Sequence, residues 1–197
     1  TATSHKIPVG HTPGVLTETT ADFAWALMMA ASRRLVEGHN EVQQGLWRSW
    51  GPDVLCGVDI HGKTLGLIGF GRIGKAMARR AAGFNMRVLY FEPRYKPENE
   101  SITNVSYVPL DELLRESDFV SLHAYLSPSS RQMIGKSQLE MMKPSAILIN
   151  TARGAMVDHQ ALYEALKEKK IAAAALDVFD PEPIPAGHPL LGLSNVI

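Results

Sequence analysis

The chain has no excess of charge of one sign, because 20 lysine and arginine residues balance 20 aspartate and glutamate residues among its 197 residues. Binding to nucleic acid or to an anionic membrane surface usually needs a basic patch, and the sequence contains no basic run of useful length. The composition therefore argues against nucleic acid and against membranes as partners.

Cysteine is almost absent, since Cys56 is the only one. No disulfide can form within the chain, and an intracellular, cytoplasmic location is predicted on that ground. The thiol has no activating neighbour in the sequence, which argues against a nucleophilic role.

Long hydrophobic runs and targeting signals are also missing. The longest apolar stretch, residues 23–31, is too short to span a bilayer, and no signal peptide is recognisable. Hydrophobic residues nevertheless make up 45% of the chain and charged residues 20%, which is typical of a soluble globular domain with a substantial core.

From residue 63 onward, short apolar segments alternate with helical patterns. Such alternation predicts a parallel sheet covered on both faces, an α/β fold of the doubly wound Rossmann type. The predicted strands are 65–68, 87–91, 106–108, 119–122, 146–149, 172–176 and 195–197. The predicted helices are 75–82, 110–116, 137–142 and 159–168, the last capped by Asp158.

The N-terminal part predicts a short strand at 7–9 and then an apolar helix, capped by Thr17 or Thr19, that ends at Arg33 and Arg34. The apolar surface of this helix is broader than one stripe, which suggests that the helix is buried on more than one side, for example by packing against a second subunit. The connection 45–63, with Trp47 and Trp50, is of the kind that often carries an interface. Both features fit an interface with a second subunit.

The sequence Gly-Phe-Gly-Arg-Ile-Gly at residues 69–74 follows an apolar strand and precedes a helix. In a dinucleotide site the first glycine (Gly69) allows a tight turn, the second (Gly71) lets the backbone approach a pyrophosphate, and the third (Gly74) lets helix pack on strand. The helix N-terminus favours the anion. Taken alone, the motif also fits an ordinary strand-to-helix turn.

The next apolar strand ends in Glu92, about 20 residues past the glycines, where an acid binds the ribose hydroxyls of a dinucleotide. The alternative is a solvated carboxylate at a strand end. Because glutamate repels a 2′-phosphate, NAD is favoured over NADP, although Arg94 would soften that preference.

Three polar clusters follow later strands, at the sheet edge where ligands bind in this class of fold. They are His123, the segment 150–154 (Asn-Thr-Ala-Arg-Gly) and the segment 177–183 (Asp-Val-Phe-Asp-Pro-Glu-Pro).

Reduction of a 2-keto acid by a nicotinamide cofactor needs a cation that holds the carboxylate and a proton donor near neutral pH. Arg153 suits the first role, and Glu182 could orient a histidine. Asp177 would lie nearer the nicotinamide amide, and Thr151 could bind the cofactor. Each also has a structural alternative: an arginine bonding loop carbonyls, a solvated acid, or a loop cap.

These motifs, in order, resemble those of the D-isomer-specific 2-hydroxyacid dehydrogenase family, and most closely its glyoxylate/hydroxypyruvate reductases. The opening Ile-Pro-Val-Gly-His-Thr-Pro-Gly (7–14) and Glu-Thr-Thr-Ala-Asp (18–22) resemble the family's hinge and first helix. The likeness covers essentially the whole chain. It implies a homodimeric oxidoreductase that uses NAD, with NADP as an alternative, and a small 2-keto or 2-hydroxy acid as substrate.

The resemblance also implies roles for individual residues. Arg153 becomes the catalytic arginine and Glu182 the acid that pairs with the catalytic histidine. The implied cofactor-binding residues are Thr20, Gly69, Gly71, Arg72, Ile73, Gly74, Glu92, His123, Thr151, Ala152 and Asp177.

The sequence departs from the family pattern in two respects. Tyr125 stands where the family usually has proline, which puts the adenine side of the site in doubt. The catalytic histidine, which follows the last strand in a Pro-His pair, is not found among the seven histidines, and the His-Pro-Leu-Leu setting of His188 resembles a surface turn.

We therefore expect a coenzyme-binding domain at 17–197, preceded by a hinge and remnant of a substrate domain at 1–16, with the substrate domain outside the chain. Two alternatives remain: an NAD-sensing, corepressor-like interaction protein, and a formate or phosphite dehydrogenase.

Overall fold

A computed structural model describes residues 1–94, 97 and 104–197 of the chain. Six strands form one parallel sheet: β1 (Thr64–Ile68), β2 (Arg87–Phe91), β3 (Val105–Tyr107), β4 (Phe119–Leu122), β5 (Ile147–Asn150) and β6 (Ala173–Leu176). Their spatial order is β3-β2-β1-β4-β5-β6, so the chain winds outward from β1 in both directions. The predicted doubly wound α/β fold is therefore confirmed, and this is the Rossmann strand order.

In the described parts of the chain, six α-helices accompany the sheet: α1 (Thr17–Ser32), α2 (Leu35–Gln43), α3 (Arg72–Ala82), α4 (Leu110–Glu116), α5 (Lys136–Met141) and α6 (His159–Lys167). Short 3-10 helices lie at Thr3–His5, Gly154–Met156 and Pro189–Gly192. None of the helices in the described ranges is long and apolar enough to cross a membrane.

The strands are buried on both faces because their side chains alternate between two cores. Leu65, Leu67 and Ile149 belong to a core beneath α1 and α3. Val120 and Leu148 belong to the opposite core, with α4, α5 and α6. A sheet covered in this way leaves only its strand ends exposed to ligands, and the carboxyl ends are where the site lies.

Several predicted boundaries were wrong. Neither Thr17 nor Thr19 caps α1: the N-cap is Leu16, because a turn at Gly14 starts the helix earlier and Thr17 is already helical. The helix also ends at Ser32, before the two arginines. α3 begins at Arg72 rather than at residue 75, so its N-terminus lies directly at the glycine turn.

Two predicted strands are not strands. Residues 7–9 join no sheet, and Ile7 and Val9 are exposed. At 195–197 there is a single parallel bridge between Val196 and Ala174 in place of a seventh strand. The prediction also missed α2, which follows α1 after a left-handed residue, Arg34.

Candidate functional site

In the turn between β1 and α3, each of the three glycines has a different physical explanation. Gly69 has a φ of +96°, and a Cβ atom there would lie 2.5 Å from the Ala124 nitrogen. A Cβ on Gly74 would overlap the Gly69 carbonyl oxygen. Gly71 has ordinary extended torsions, and a Cβ there would meet no protein atom within 4 Å. The fold explains Gly69 and Gly74, whereas the open space above Gly71 fits a ligand that approaches the backbone.

A cavity of about 280 Å³ opens beside Gly71. One wall consists of Gly71, Arg72 and Ile73, with His123 from the end of β4. The other wall comes from the N-terminal segment, with Thr12, Gly14, Leu16 and Thr17. The N-termini of α1 and α3 therefore meet at one cavity, and their partial positive charges favour an anion such as a pyrophosphate there.

Ion pairs hold these two helices together. The Arg80 guanidinium donates to Asp22 Oδ1 through Nε at 3.0 Å and through Nη2 at 2.5 Å, and Nη2 lies 3.0 Å from Glu18 Oε2. Arg79 Nη2 lies 2.6 Å from Glu18 Oε1. Because Glu18 and Asp22 are on α1 and both arginines are on α3, these contacts link the two walls, and the apolar core that α1 and α3 share lies beside them.

Glu92 contacts the glycine turn from the end of β2. Its Oε1 accepts a hydrogen bond from the Phe70 amide at 3.2 Å, so the carboxylate lies against the turn itself. This is the edge of the sheet where an acid would receive ribose hydroxyls.

His123 lies on the other side of the turn. Its Nε2 is 2.9 Å from the hydroxyl of the buried Ser121, and its backbone amide donates to Ile68 at 2.7 Å. Burial lowers the pKa of the imidazole to about 4, because water is largely withdrawn from its charged form. The cavity therefore has a neutral imidazole in its wall at neutral pH.

The loop after β5 is held by the buried Asn150. Its side chain donates to the Arg153 carbonyl at 3.0 Å and accepts from the Ala152 amide at 3.0 Å. Thr151 is 9% exposed, and its hydroxyl has no hydrogen-bond partner among the described residues. A buried polar atom without a partner fits a site whose ligand would supply one.

The guanidinium of Arg153 is exposed, and its Nη1 donates to the Ala152 carbonyl at 2.6 Å. This bond is the one expected from the structural alternative for Arg153, an arginine bonding a loop carbonyl. The exposure of the side chain still leaves it accessible to a carboxylate ligand.

The loop after β6 lies against the loop after β5. The Asp177 amide donates to the Asn150 carbonyl at 3.0 Å, and a Cβ on Gly154 would overlap the Phe179 backbone. The Phe179 amide in turn donates to Glu182 Oε1 at 2.9 Å. Asp177 and Glu182 are both exposed. The structure thus brings the loops of the predicted catalytic residues, Arg153 and Glu182, into direct contact.

Not every predicted residue reaches the cavity. Gly71, Arg72, Ile73 and His123 line it. The other predicted cofactor-binding residues do not line it: Thr20, Gly69, Gly74, Glu92, Thr151, Ala152 and Asp177. Sequence reasoning missed Thr12, Gly14, Leu16 and Thr17 as wall residues. The signal that could have revealed them is the Pro13-Gly14 turn, since Gly14 has a φ of +89° and turns the chain toward the glycine loop.

A parallel sheet in this strand order, with an open glycine turn and an acid at the end of the next strand, defines a dinucleotide-binding domain of the Rossmann class. The sequence comparison is more specific: residues 25–197 match the model of the D-isomer specific 2-hydroxyacid dehydrogenase, NAD binding domain. The chain belongs to this family, as the sequence motifs predicted.

Relatives and solved structures agree with this assignment. A glyoxylate reductase of Korarchaeum cryptofilum is 56% identical over the whole chain, which covers 59% of that protein. The TT0316 protein of Thermus thermophilus has a TM-score of 0.93 at 49% identity, over all of this chain and 61% of that one. D-lactate dehydrogenase of Lactobacillus jensenii with NAD+ has a TM-score of 0.87 at 36% identity, and the match covers 100% of this chain and 62% of that one. The chain therefore spans about 60% of the length of these relatives.

Proposed function

We propose that this chain is the coenzyme-binding domain of an NAD-dependent oxidoreductase that reduces a 2-keto acid of the glyoxylate or hydroxypyruvate type to a D-2-hydroxy acid. The proposal that the chain binds NAD rests on the open space above Gly71, where two helix N-termini converge on one cavity. The substrate class rests on the similarity to glyoxylate reductases.

The cofactor, when bound, supplies the hydride. Gly71, Arg72 and Ile73 bind its pyrophosphate through backbone amides, Glu92 binds the adenosine ribose, and Thr151 donates its unpartnered hydroxyl. Ala152, His123, Asp177 and Thr20 complete the proposed set, with Gly69 and Gly74 as structural supports of the turn.

The catalytic groups proposed in this chain are Arg153 and Glu182. Arg153 holds the substrate carboxylate and polarises the carbonyl, because its planar, permanently charged guanidinium suits a carboxylate. Glu182 orients a proton-donating imidazole and stabilises its charged form. Because Phe179 already holds one oxygen of Glu182, the carboxylate is positioned before any substrate binds.

His188 is a poor candidate for that imidazole. Its Nδ1 accepts a hydrogen bond from the Leu190 amide at 3.3 Å, and its ring packs at right angles to His159. We therefore propose that the 197 residues bind NAD but reduce 2-keto acids very slowly by themselves. A steady-state assay with glyoxylate tests this proposal, and turnover at a rate normal for an enzyme would contradict it.

We also propose that residues 1–16 act as a hinge segment and that the chain forms a homodimer. The support for the dimer is a set of exposed apolar side chains on and after α2, including Leu46, Trp47 and Trp50, the last 81% exposed. Light scattering at micromolar concentration should give twice the mass of one chain. A monomer mass would contradict the dimer.

The test of cofactor binding is calorimetry with NAD on wild type and on two glycine variants. Gly71→Ala adds a methyl group to the open space and touches no protein atom, so the fold should persist while NAD affinity falls by about tenfold or more. Gly187→Ala is the matched control, because Gly187 is equally unobstructed but lies outside the cavity. If NAD binds all three proteins equally, or none, the proposed cofactor site is wrong.

A further inference from the structure

His159 begins α6 and lies beneath the loop that follows β6, residues 177–188, which we name the β6 loop. Its ring meets the Phe179 ring edge-on, with centroids 5.9 Å apart at 78°, and the His188 ring at 89° and 5.6 Å. Its Nδ1 is buried and has no hydrogen-bond partner among the described residues. Nδ1 therefore makes no hydrogen bond within the described residues, and the ring packs against two aromatic rings.

The contacts of His159 lead to a proposed catalytic group in two steps. The first step is the ring contact with Phe179, and the second is the hydrogen bond from the Phe179 amide to Glu182 Oε1 at 2.9 Å. A displacement of Phe179 would therefore move the Glu182 carboxylate.

The charged groups around His159 come from both elements that meet there. Asp158 is its neighbour on α6, and its side chain caps the helix by accepting from the Gln160 and Ala161 amides. His188 and Asp180 face it from the β6 loop, and Asp180 pairs with Arg131 at 3.2 Å. Burial is the main cause that lowers the pKa of His159, and His188 lowers it further against the opposing effect of the two aspartates.

We propose that His159 is a positioning residue for Glu182: its neutral ring holds the β6 loop through Phe179, and protonation of the ring releases the loop. A charged imidazole would be less well solvated at this half-buried contact than in water, so protonation would weaken the contact. The catalytic importance of His159 rests on the role of Glu182 proposed above. The coupling between the His159 ring and the β6 loop rests only on the observed contacts.

The experiment measures amide exchange of Phe179 by NMR in the 197-residue chain without cofactor, at about pH 7.5 and at a pH below the His159 midpoint, which is read from the ring-proton shifts of His159 in the same samples. After correction for the intrinsic pH dependence of exchange, wild type should lose about tenfold of its Phe179 protection at the lower pH. His159→Phe keeps an aromatic edge but cannot be protonated, so protection should remain at both pH values. His159→Ala should be weakly protected at both.

His39→Phe is the matched control, since His39 is an exposed histidine on α2 and its removal should leave the wild-type behaviour. The proposal is wrong if wild-type protection does not fall while His159 titrates, or if His159→Phe still loses it. Should His159→Ala fail to fold, the comparison of wild type with His159→Phe decides alone. Because no cofactor is present, a failure of NAD binding in calorimetry would overturn the proposed function without changing this result.

Discussion

Gly154 and Phe179 belong to loops at the ends of different strands, yet their backbones lie so close that a Cβ atom on Gly154 would overlap the Phe179 carbonyl group. Gly154 directly follows Arg153, and the Phe179 amide binds Glu182. The contact, together with the hydrogen bond from the Asp177 amide to the Asn150 carbonyl, therefore limits how far apart the backbones that carry the two proposed catalytic side chains can lie.

Replacement of Gly154 by alanine should force the two loops apart. The overlap is with backbone atoms, which yield less readily than a side chain, so we expect a loss of about 1–3 kcal/mol in the free energy of unfolding. Urea denaturation measures it. Gly187→Ala in the same loop region meets no neighbouring atom and should change stability by no more than about 0.5 kcal/mol. Equal stability of both variants would show that the loops are not held in contact.

The ion pairs between α1 and α3 predict that Arg80 contributes more to the free energy of unfolding than an arginine elsewhere on the surface. The Arg80 guanidinium donates to Asp22, to the Glu18 carbonyl and to the Ala76 carbonyl, and its side chain is only 20% exposed. Arg80→Ala should therefore lower the free energy of unfolding by about 1–2 kcal/mol. Arg87 makes one pair with Glu116 and is 54% exposed, so Arg87→Ala should cost less than about 1 kcal/mol. Denaturant unfolding of both variants checks the order, and a larger effect at Arg87 would contradict it.

The lowered pKa of His123 predicts a loss of stability in acid. Its pKa is about 4 in the fold against an ordinary 6.5, so below pH 6.5 the unfolded chain binds the proton more readily than the folded chain does. Stability from this group is complete above pH 6.5 and is lost as the pH falls toward 4, by about 2 kcal/mol between pH 7.5 and pH 5.

The measurement is the unfolding free energy at both pH values in wild type and in His123→Gln, which has no titrating group. The pH-dependent loss should be about 2 kcal/mol smaller in His123→Gln. His39→Gln, which changes an exposed histidine, should behave as wild type. The same loss in wild type and His123→Gln would show that His123 is not buried in its neutral form.

Glu92 predicts the choice between the two dinucleotides. Glu92→Gln keeps an oxygen that can accept from the Phe70 amide but removes the charge that repels a 2′-phosphate. We expect the ratio of NADP to NAD affinity to rise about tenfold. Calorimetry with both cofactors measures it, with Glu116→Gln as a control for a general change of charge. An unchanged ratio would mean that Glu92 does not face the ribose.

Much of the fold could be predicted because buried parallel strands are short apolar runs with clear ends. The predicted bounds of β2, β4 and α4 agree with the structure. Helix α2 was missed because Gly38 and Asn40 weaken its helical pattern and none of its residues is buried. Local sequence carried too little signal there.

Two glycines of the turn beside the proposed site were predictable because only glycine fits their backbone positions. Gly69 and Gly74 are required by the turn, and sequence spacing found them. The opposite wall of the cavity was missed because Thr12 and Leu16 reach it only through the packing of α1 on α3. The influence of Phe179 on Glu182 was missed for a similar reason, since the contact with Gly154 joins loops distant in sequence.

Cys56 is exposed and is the only thiol in the chain, and it lies in the connection that also carries Trp47 and Trp50. A maleimide dye would therefore label the molecule at one defined position. Chains labelled separately with a donor and an acceptor and then mixed would test the proposed homodimer without any engineered residue: energy transfer would report association, and a dye that abolishes the dimer mass would place Cys56 within the interface.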